Sequence, residues 1–330
     1  MADLSIIIVS YKEWERFTKC LEALNSFTGK NFSTEVIVVD NRSGDETIFK
    51  IEERFPKFRF IHNEINGGFA NGCNLGGKNA GGEFLLFLNP DTVATESELE
   101  KLLNITKQNP AFSILSCRQV NENGKECIVS GPFPQFFNLT GFQRAIFGRL
   151  KTQDARLKTF DKSRESEVSF PDWISGSVLL MRKELFQKIK GFDEDFWMYF
   201  EDVDLCRRVR NIPGEIAFCR NITIEHNHGG SSRINLKTSS LTKTEVHISR
   251  HIYISKHKTG LEKAAIQTFL IINNLISGGL MALLGFLVFF VPKVFVRTLI
   301  YFRLISYYTG SLFRLSWISP HSVNFHKTLL

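Results

Sequence analysis

The sequence predicts an α/β protein with a mostly parallel β-sheet, followed by a helical C-terminal region. In the first ninety or so residues, short apolar runs alternate with segments whose apolar residues recur at helical spacing. The runs contain almost no polar residue, which is typical of parallel strands covered by helices on both faces. After residue 232 the composition becomes both basic and apolar, which indicates a second region of different character.

The individual elements are predicted in chain order. The first strand, Leu4–Val9, precedes a helix whose buried face would carry Trp14, Phe17, Leu21 and Leu24. The next elements are a strand at Val36–Val39, a helix around Glu46–Phe55, a strand at Arg59–His62, a helix from about Phe69, a strand at Phe84–Leu88 and a helix that begins with a capping box at Thr95–Glu98. Further along are a strand at Ser177–Met181, a helix at Lys183–Lys190 closed by Gly191, and a helix with Val203, Cys206 and Val209 on one face.

Polar residues follow each of the first four predicted strands. In open parallel sheets, ligands bind at the carboxyl ends of the strands, so these residues predict a binding site. Neither the dinucleotide spacing G-x-G-x-x-G nor a Walker phosphate loop follows the first strand. The residues at the four strand ends are Ser10-Tyr11-Lys12, Asp40-Asn41-Arg42-Ser43, His62-Asn63 and Asn89-Pro90-Asp91.

Two stretches near these strand ends have two interpretations each. The glycines of NGGFANGCNLG, residues 66–76, indicate either a close helix–sheet contact or a close backbone approach to a ligand. Asp91 is either a turn or helix-capping residue, or an oxygen ligand for Mg²⁺ or Mn²⁺ shared with a phosphate.

A second group of candidate residues lies between 173 and 232. The acids of Glu201-Asp202-x-Asp204 suit a helix N-terminus, but several carboxylates beside Trp197, Tyr199 and Phe200 favour a general base next to a ring-binding platform. Downstream, His226 and His228 are possible metal ligands or phosphate donors.

Six segments occur in the order found in inverting family 2 glycosyltransferases of the GT-A fold. The chain resembles the rhamnosyltransferase-like branch of that family. The resemblance implies a GT-A catalytic domain over residues 1–232, and beyond about residue 260 it is one of general character only. The matching segments are SIIIVSYK, VIVVDNRSGD, NEINGGFANGCNLG, FLLFLNPDTV, the stretch from Trp173 to Val209, and HNHGGS.

The resemblance implies roles at the matching positions. Asp202, beside Glu201, would be the catalytic base, and Asp91 with His226 would bind the cation, with His228 as the alternative ligand. Asn89 stands where the family's D-x-D motif has its first acid. The implied donor-binding residues are Ser10, Tyr11, Asp40, Asn41, Arg42, Asn66, Gly68, Phe69, Asn71, Asn74 and Asn89, and Trp173, Ser175 and Gly176 would face the acceptor.

The implied reaction is the inverting transfer of a sugar from a nucleotide-sugar donor to a hydroxyl of a glycan or lipid-linked acceptor. dTDP-rhamnose is the favoured donor, and UDP-galactofuranose or another UDP-hexose is the alternative. The expected setting is cell-surface polysaccharide or lipopolysaccharide synthesis, with Mg²⁺ or Mn²⁺ as cofactor. Two other classes stay open: a nucleotidyltransferase, and a non-catalytic membrane-associated protein that binds nucleotide sugars.

The region 233–330 is expected to associate with a membrane. Residues 232–330 contain 12 Lys and Arg residues against Glu245 and Glu262 alone, a net charge of +10, and Ile266–Val291 contains no charge. Charge with this apolar character favours a membrane surface over nucleic acid. Because both flanks of Ile266–Val291 are basic, we expect a re-entrant or interfacial hairpin followed by an amphipathic helix over Val294–Trp317; a single span or a packed soluble subdomain are the alternatives.

The expected location is the cytoplasmic face of the cell membrane. The six cysteines form no C-x-x-C pair and are expected to be reduced thiols, and no signal peptide is expected before the first strand.

Overall fold

The computed structural model describes residues 2–139, 168–227 and 235–325. His228, the alternative metal ligand, lies outside these residues. The chain begins with strand β1 and alternates strands with helices. Its elements are β1 (Leu4–Ser10), α1 (Trp14–Asn25), β2 (Thr34–Asp40), α2 (Thr47–Arg54), β3 (Arg59–His62), α3 (Gly68–Asn79), β4 (Phe84–Leu88), β5 (Thr92–Val93), α4 (Glu96–Gln108), β6 (Phe112–Val120), β7 (Ser130–Gly131) and a 3₁₀ turn at Phe136–Asn138.

The second part continues the same sheet and then becomes helical. Its elements are β8 (Val168–Ser169), β9 (Trp173–Ile174), β10 (Val178–Arg182), α5 (Lys183–Lys188), α6 (Glu201–Val209), β11 (Glu215–His226), α7 (Leu236–His257), α8 (Gly260–Leu287) and α9 (Pro292–Arg314).

The central sheet has the strand order β3-β2-β1-β4-β10-β6-β11-β5, with β8 paired to β11. Strands β1 to β4 are parallel, as the sequence predicts, and so are β6 and β11. Strand β10 runs antiparallel between β4 and β6. The parallel β1, β2 and β4 therefore end at one edge, where Ser10, Asp40 and Asn89 begin the loops.

Apolar side chains cover both faces of the sheet. Along β1, Leu4, Ile6 and Ile8 pack in one core with α1, α2 and α4, whereas Ile7 and Val9 pack in the other with α3. This alternation arises because successive strand residues point to opposite faces. The six cysteines are free thiols, as expected.

Helix α7 packs against α6 and the loop before it, and α8 and α9 form an antiparallel pair. Ser249 of α7 donates to the carbonyl oxygen of Met198 (2.9 Å), and His257 donates to Asp204 of α6 (2.7 Å). Among the described residues, α8 is the one helix long and apolar enough to cross a membrane by length and composition. The helical C-terminal extension is therefore confirmed as a structural region.

Candidate active site

A cavity of about 1020 Å³ lies at the carboxyl ends of β1, β2 and β4. It is large enough for a nucleotide-sized ligand. Residues from both halves of the sequence line it, so the fold brings together most of the predicted site. The sequence-predicted residues that line the cavity are Tyr11, Asn41, Arg42, Asn66, Phe69, Asn89, Asp91, Trp173, Ser175, Gly176, Glu201, Asp202 and His226.

Asp91 and His226 meet because the last residues of β11 pair with β5. His226 lies opposite Thr92 in this antiparallel register, and its Nε2 is 3.2 Å from Asp91 Oδ1. His226 Nδ1 lies 2.7 Å from Gln119 Oε1. Because an amide oxygen only accepts hydrogen bonds, His226 Nδ1 donates to Gln119, and Nε2 is the ring nitrogen that faces Asp91.

This pair fits a divalent cation. Asp91 Oδ1 is buried and has no hydrogen-bond partner among the residues that the structure describes. Asp91 Oδ1 and His226 Nε2, 3.2 Å apart, are an oxygen and a nitrogen ligand that a shared Mg²⁺ or Mn²⁺ would bind. Asn89 Nδ2 lies 3.4 Å from the same His226 Nε2. Within the described ranges no three His, Cys, Asp or Glu residues form a cluster, so substrate oxygens or water would complete the coordination.

Asp202 lines the same cavity, at the start of α6. Its Oδ2 accepts a hydrogen bond from the Gly176 amide (3.0 Å), and its Oδ1 accepts one from the Val203 amide (2.8 Å). Burial raises the pKa of Asp202 even though these hydrogen bonds act to lower it. A carboxylate with a raised pKa is a better proton acceptor than an ordinary aspartate.

Glu201 is more deeply buried than its neighbour. Burial, and then the charge of Asp202, raise the pKa of Glu201 well above its ordinary value. Its Oε2 has no hydrogen-bond partner within the described ranges. Burial therefore favours the neutral form of Glu201, whereas two backbone amides favour the carboxylate form of Asp202.

A strained turn places these two acids. Tyr199 and Phe200 both have a φ of +68°, in the left-handed region that non-glycine residues rarely adopt. Both side chains line the cavity. Two successive strained residues directly before α6 cost of order 1–3 kcal/mol each, and such strain clusters at functional sites.

An amide network supports the wall formed by residues 63–69. Asn41 Nδ2 donates to Asn66 Oδ1 (3.1 Å) and to the carbonyl oxygen of Gly68 (3.0 Å). Asn63 Nδ2 donates to Asn41 Oδ1 (3.0 Å) and to Asn71 Oδ1 (2.8 Å). The end of β2 is thereby fixed to the start of α3.

Five of the predicted donor-binding residues lie behind the cavity wall. Asp40 accepts from the Ser43 amide (3.2 Å), Asn71 belongs to the amide network, and Asn74 bonds both Phe192 and Glu194. Ser10 is buried, and its Oγ has no partner in the described part of the chain. Gly68 has a φ of +84°, and a Cβ there would lie 1.8 Å from the Trp197 carbonyl oxygen. In this structure these residues contact protein, and a direct role in donor binding stays a prediction.

The glycines of α3 serve helix–sheet packing. A Cβ at Gly72 would lie 2.6 Å from Val9 Cγ1, and one at Gly76 would lie 2.4 Å from Ile7 Cγ2. Of the two interpretations of this stretch, the close helix–sheet contact therefore holds for Gly72 and Gly76.

Besides a face of α7 that carries Thr238, Leu241, Thr242, Val246 and Arg250, three parts of the cavity are not evident from the sequence. Gln119, fully buried, holds His226, and β6 carries no charge pattern that signals it. A wall from Ile128 to Leu139 includes Pro132 and Pro134. The third part, Pro320–Val323, lies far beyond the matching segments, and its only signal is the return of polar residues after α9.

Residues 5–204 match the model of the glycosyl transferase family 2. Among curated proteins, the chain is 28% identical over 231 residues to the low-salt glycan biosynthesis hexosyltransferase Agl10 of Haloferax volcanii, covering 68% of this chain and 67% of that protein. It is 24% identical over 276 residues to the N-acetylglucosaminyl-diphospho-decaprenol L-rhamnosyltransferase of Mycobacterium tuberculosis, covering 80% and 88%. It is 27% identical over 214 residues to the rhamnosyltransferase WbbL of Escherichia coli, covering 62% and 75%.

Two solved structures share the fold. Against GalNAc-T7 with UDP, GalNAc and Mn²⁺, the TM-score is 0.53 at 14% identity, over 78% of this chain and 50% of that one. Against TarS of S. aureus, the TM-score is 0.50 at 18% identity, over 82% and 43%. This chain thus spans about half of each solved structure, and the likeness establishes the GT-A fold.

Proposed function

Because the chain belongs to glycosyl transferase family 2 and is a glycosyltransferase, we propose that it transfers a sugar with inversion from a nucleotide-sugar donor to a hydroxyl of a glycan or lipid-linked acceptor. The observation that carries the proposal is that one cavity is lined by Asp202 and by the Asp91–His226 pair. The family match favours glycosyl transfer over nucleotidyl transfer.

In this proposal Asp202 is the general base. It takes the proton from the acceptor hydroxyl as the oxygen attacks the anomeric carbon of the donor, and the nucleoside diphosphate leaves from the opposite side. A single displacement inverts the anomeric centre. Gly176 and Val203 orient the carboxylate through their amides. Trp173, Ser175 and Gly176 lie on the same side of the cavity and suit the acceptor.

Asp91 and His226 are the residues that would hold Mg²⁺ or Mn²⁺. When bound, such an ion neutralises the charge of the departing diphosphate. Gln119 fixes the tautomer of His226, so that Nε2 is a ligand and not a donor. Tyr11, Arg42, Asn66 and Phe69 line the part of the cavity where the donor would lie.

The favoured donor is dTDP-rhamnose, and a UDP-hexose such as UDP-galactofuranose is the alternative. Two of the curated relatives are rhamnosyltransferases, and another is a hexosyltransferase. Thermal-shift measurements with dTDP- and UDP-sugars, each with and without Mn²⁺, test the choice. A ligand present at 100 times its dissociation constant stabilises the protein by about 2.7 kcal/mol. Stabilisation by UDP-sugars alone would reject dTDP-rhamnose.

We further propose that α8 and α9 attach the enzyme to the cytoplasmic face of the membrane. The pair exposes a continuous set of apolar side chains, and 22% of the most apolar part of α8 is buried. Helix α8 spans 28 residues, about 42 Å at 1.5 Å per residue, but its exposed large apolar side chains are concentrated from Ile272 to Leu287. The start of α8 and the end of α9 both lie next to the part of the chain that carries the sheet, which supports a re-entrant hairpin over a single span.

A further inference from the structure

The chain does not end at the hairpin but returns to the cavity. Leu315, with a φ of +53°, caps the end of α9. Residues 315–325, here called the C-terminal segment, then run back toward the loop that contains Glu194 and Asp195. Ser322 Oγ donates to the carbonyl oxygen of Glu194 (2.6 Å), and Asn324 Nδ2 donates to Asp195 Oδ1 (2.9 Å). These bonds hold the segment against the loop that precedes α6.

A buried carboxylate fixes one side chain of this segment. Glu245 of α7 is fully buried, and its Oε2 accepts from Ser319 Oγ at 2.8 Å. Its Oε1 lies 2.8 Å from His321 Nδ1. Because a carboxylate only accepts, Nδ1 is the donor, and Nε2 is the ring nitrogen left to meet a ligand. His321 lines the cavity, and 41% of its side chain is exposed.

His321 lies next to the loop that begins α3. Its ring packs against Trp197, with ring centroids 5.2 Å apart, and Trp197 Nε1 donates to the carbonyl oxygen of Asn66 (3.0 Å). Two residues further on, Val323 lies against Gly67. The C-terminal segment therefore packs on the wall that carries Asn66 and Phe69.

We propose that His321 is a substrate-binding residue that donates a hydrogen bond from Nε2 to a phosphate oxygen, with Glu245 as its positioning residue. The inference rests on the proposed function, because it requires a substrate that carries phosphate. With phosphate bound, the imidazole would lie between two anionic partners and donate from both nitrogens, which is the strong, charge-assisted form of hydrogen bond. The phosphate belongs either to the diphosphate of the donor or to a phosphorylated acceptor.

Matched variants separate binding from structural support. His321→Asn keeps a donor at the Nδ1 position but has nothing at the Nε2 position, whereas His321→Gln carries its amide to the Nε2 position. Ser319→Ala is the control, because Ser319 contacts the same carboxylate but does not line the cavity. Calorimetric titration with UDP and dTDP tests the donor source. Titration with inorganic pyrophosphate in the presence of saturating UDP or dTDP tests the acceptor source.

His321→Asn loses one charge-assisted hydrogen bond. The dissociation constant of the ligand that His321 contacts is therefore expected to rise about 10-fold or more. His321→Gln should lose less affinity than His321→Asn, and the dissociation constant for Ser319→Ala should stay within about two-fold of the wild-type value. If His321 binds the donor diphosphate, His321→Asn should lose less affinity for UMP than for UDP. Equal binding by His321→Asn and wild type in both titrations would overturn this inference alone, and so would an equal loss in Ser319→Ala. A wild-type protein that binds neither nucleotide would overturn the proposed function, and this inference with it.

Discussion

At the scale of single residues, Glu201 and Asp202 show how adjacent carboxyl groups acquire different chemistry. Two backbone amides bond Asp202, whereas Glu201 Oε2 is buried without a partner in the described part of the chain. The sequence predicts both acids at the site but not this division, because it depends on which side of α6 faces the Gly176 loop.

We expect Asp202→Asn to reduce turnover by about 10²-fold or more, the usual loss for a general base, with nucleotide binding unchanged. Glu201→Gln should reduce turnover by less than about 10-fold, because a neutral amide resembles the neutral acid. Initial rates with saturating donor measure both. If Glu201→Gln shows the larger loss, the base is Glu201.

The pH profile follows from the same residue. The base works only when deprotonated, so wild-type turnover should fall as the pH falls through the raised pKa of Asp202, at a pH above the ordinary value of 3.8. An acidic limb at or below that value would contradict the role of burial.

Substitution of Gln119 tests the proposed cation site while the two cation-binding residues, Asp91 and His226, stay unchanged. Gln119→Leu removes the acceptor for His226 Nδ1 and should raise the Mn²⁺ concentration needed for half-maximal activity by about 10–100-fold. Gln119→Glu retains an acceptor and should lose less. The measurement is activity against added Mn²⁺ after treatment with EDTA. Full activity of the wild type in EDTA would assign Asp91 a hydrogen-bonding role instead.

At the scale of elements, the first ninety residues are the most predictable part of the fold. Each strand there is a short apolar run and each helix has a regular apolar face, so the sequence locates them within about two residues. Helix α7 is the opposite case. It buries Ser240, Thr244, Glu245, Ser249 and His251, so its apolar residues show no clear helical period. Ser240 and Thr244 donate to carbonyl oxygens of α7 itself, whereas the other three bond side chains or backbone of other elements.

The contact between α6 and α7 depends on one buried acid. Asp204 is 1% exposed and pairs with Arg208 and His257, both at 2.7 Å. Burial acts to raise the pKa of Asp204, but the hydrogen bond from His257 and the charge of Arg208 outweigh it, so the pKa lies below its ordinary value. The ionised Asp204 carboxylate, with both of its partners, therefore adds stability above pH 3.8, and this contribution is lost as the pH falls through the lowered pKa of Asp204.

Asp204→Asn should lower the free energy of unfolding by about 3 kcal/mol at pH 7, the scale for breaking a buried ion pair. The difference from wild type should shrink as the pH falls below about 4. Denaturant unfolding at several pH values measures it. A variant as stable as wild type at pH 7 would show that α7 docks without this pair.

At the scale of the whole molecule, the tip of the hairpin formed by α8 and α9 exposes three phenylalanines. Phe286, Phe289 and Phe290 are 67%, 68% and 72% exposed. If the hairpin inserts into a membrane, changing these three residues to Ser should prevent flotation with anionic liposomes and leave nucleotide binding unchanged. Phe49→Ser, at an exposed phenylalanine of α2, is the matched control. Liposome binding equal to wild type in the triple variant would reject the hairpin as the anchor.

The position of Pro320–Val323 in the chain sets an order of events during synthesis. The ribosome makes the chain from residue 1 onward, so the acids at 202 and the histidine at 226 are translated long before this last wall of the cavity. Between them lies the whole apolar hairpin. A nascent chain has therefore made its whole hairpin before the cavity is enclosed, and the protein acquires its full cavity only when synthesis is nearly finished.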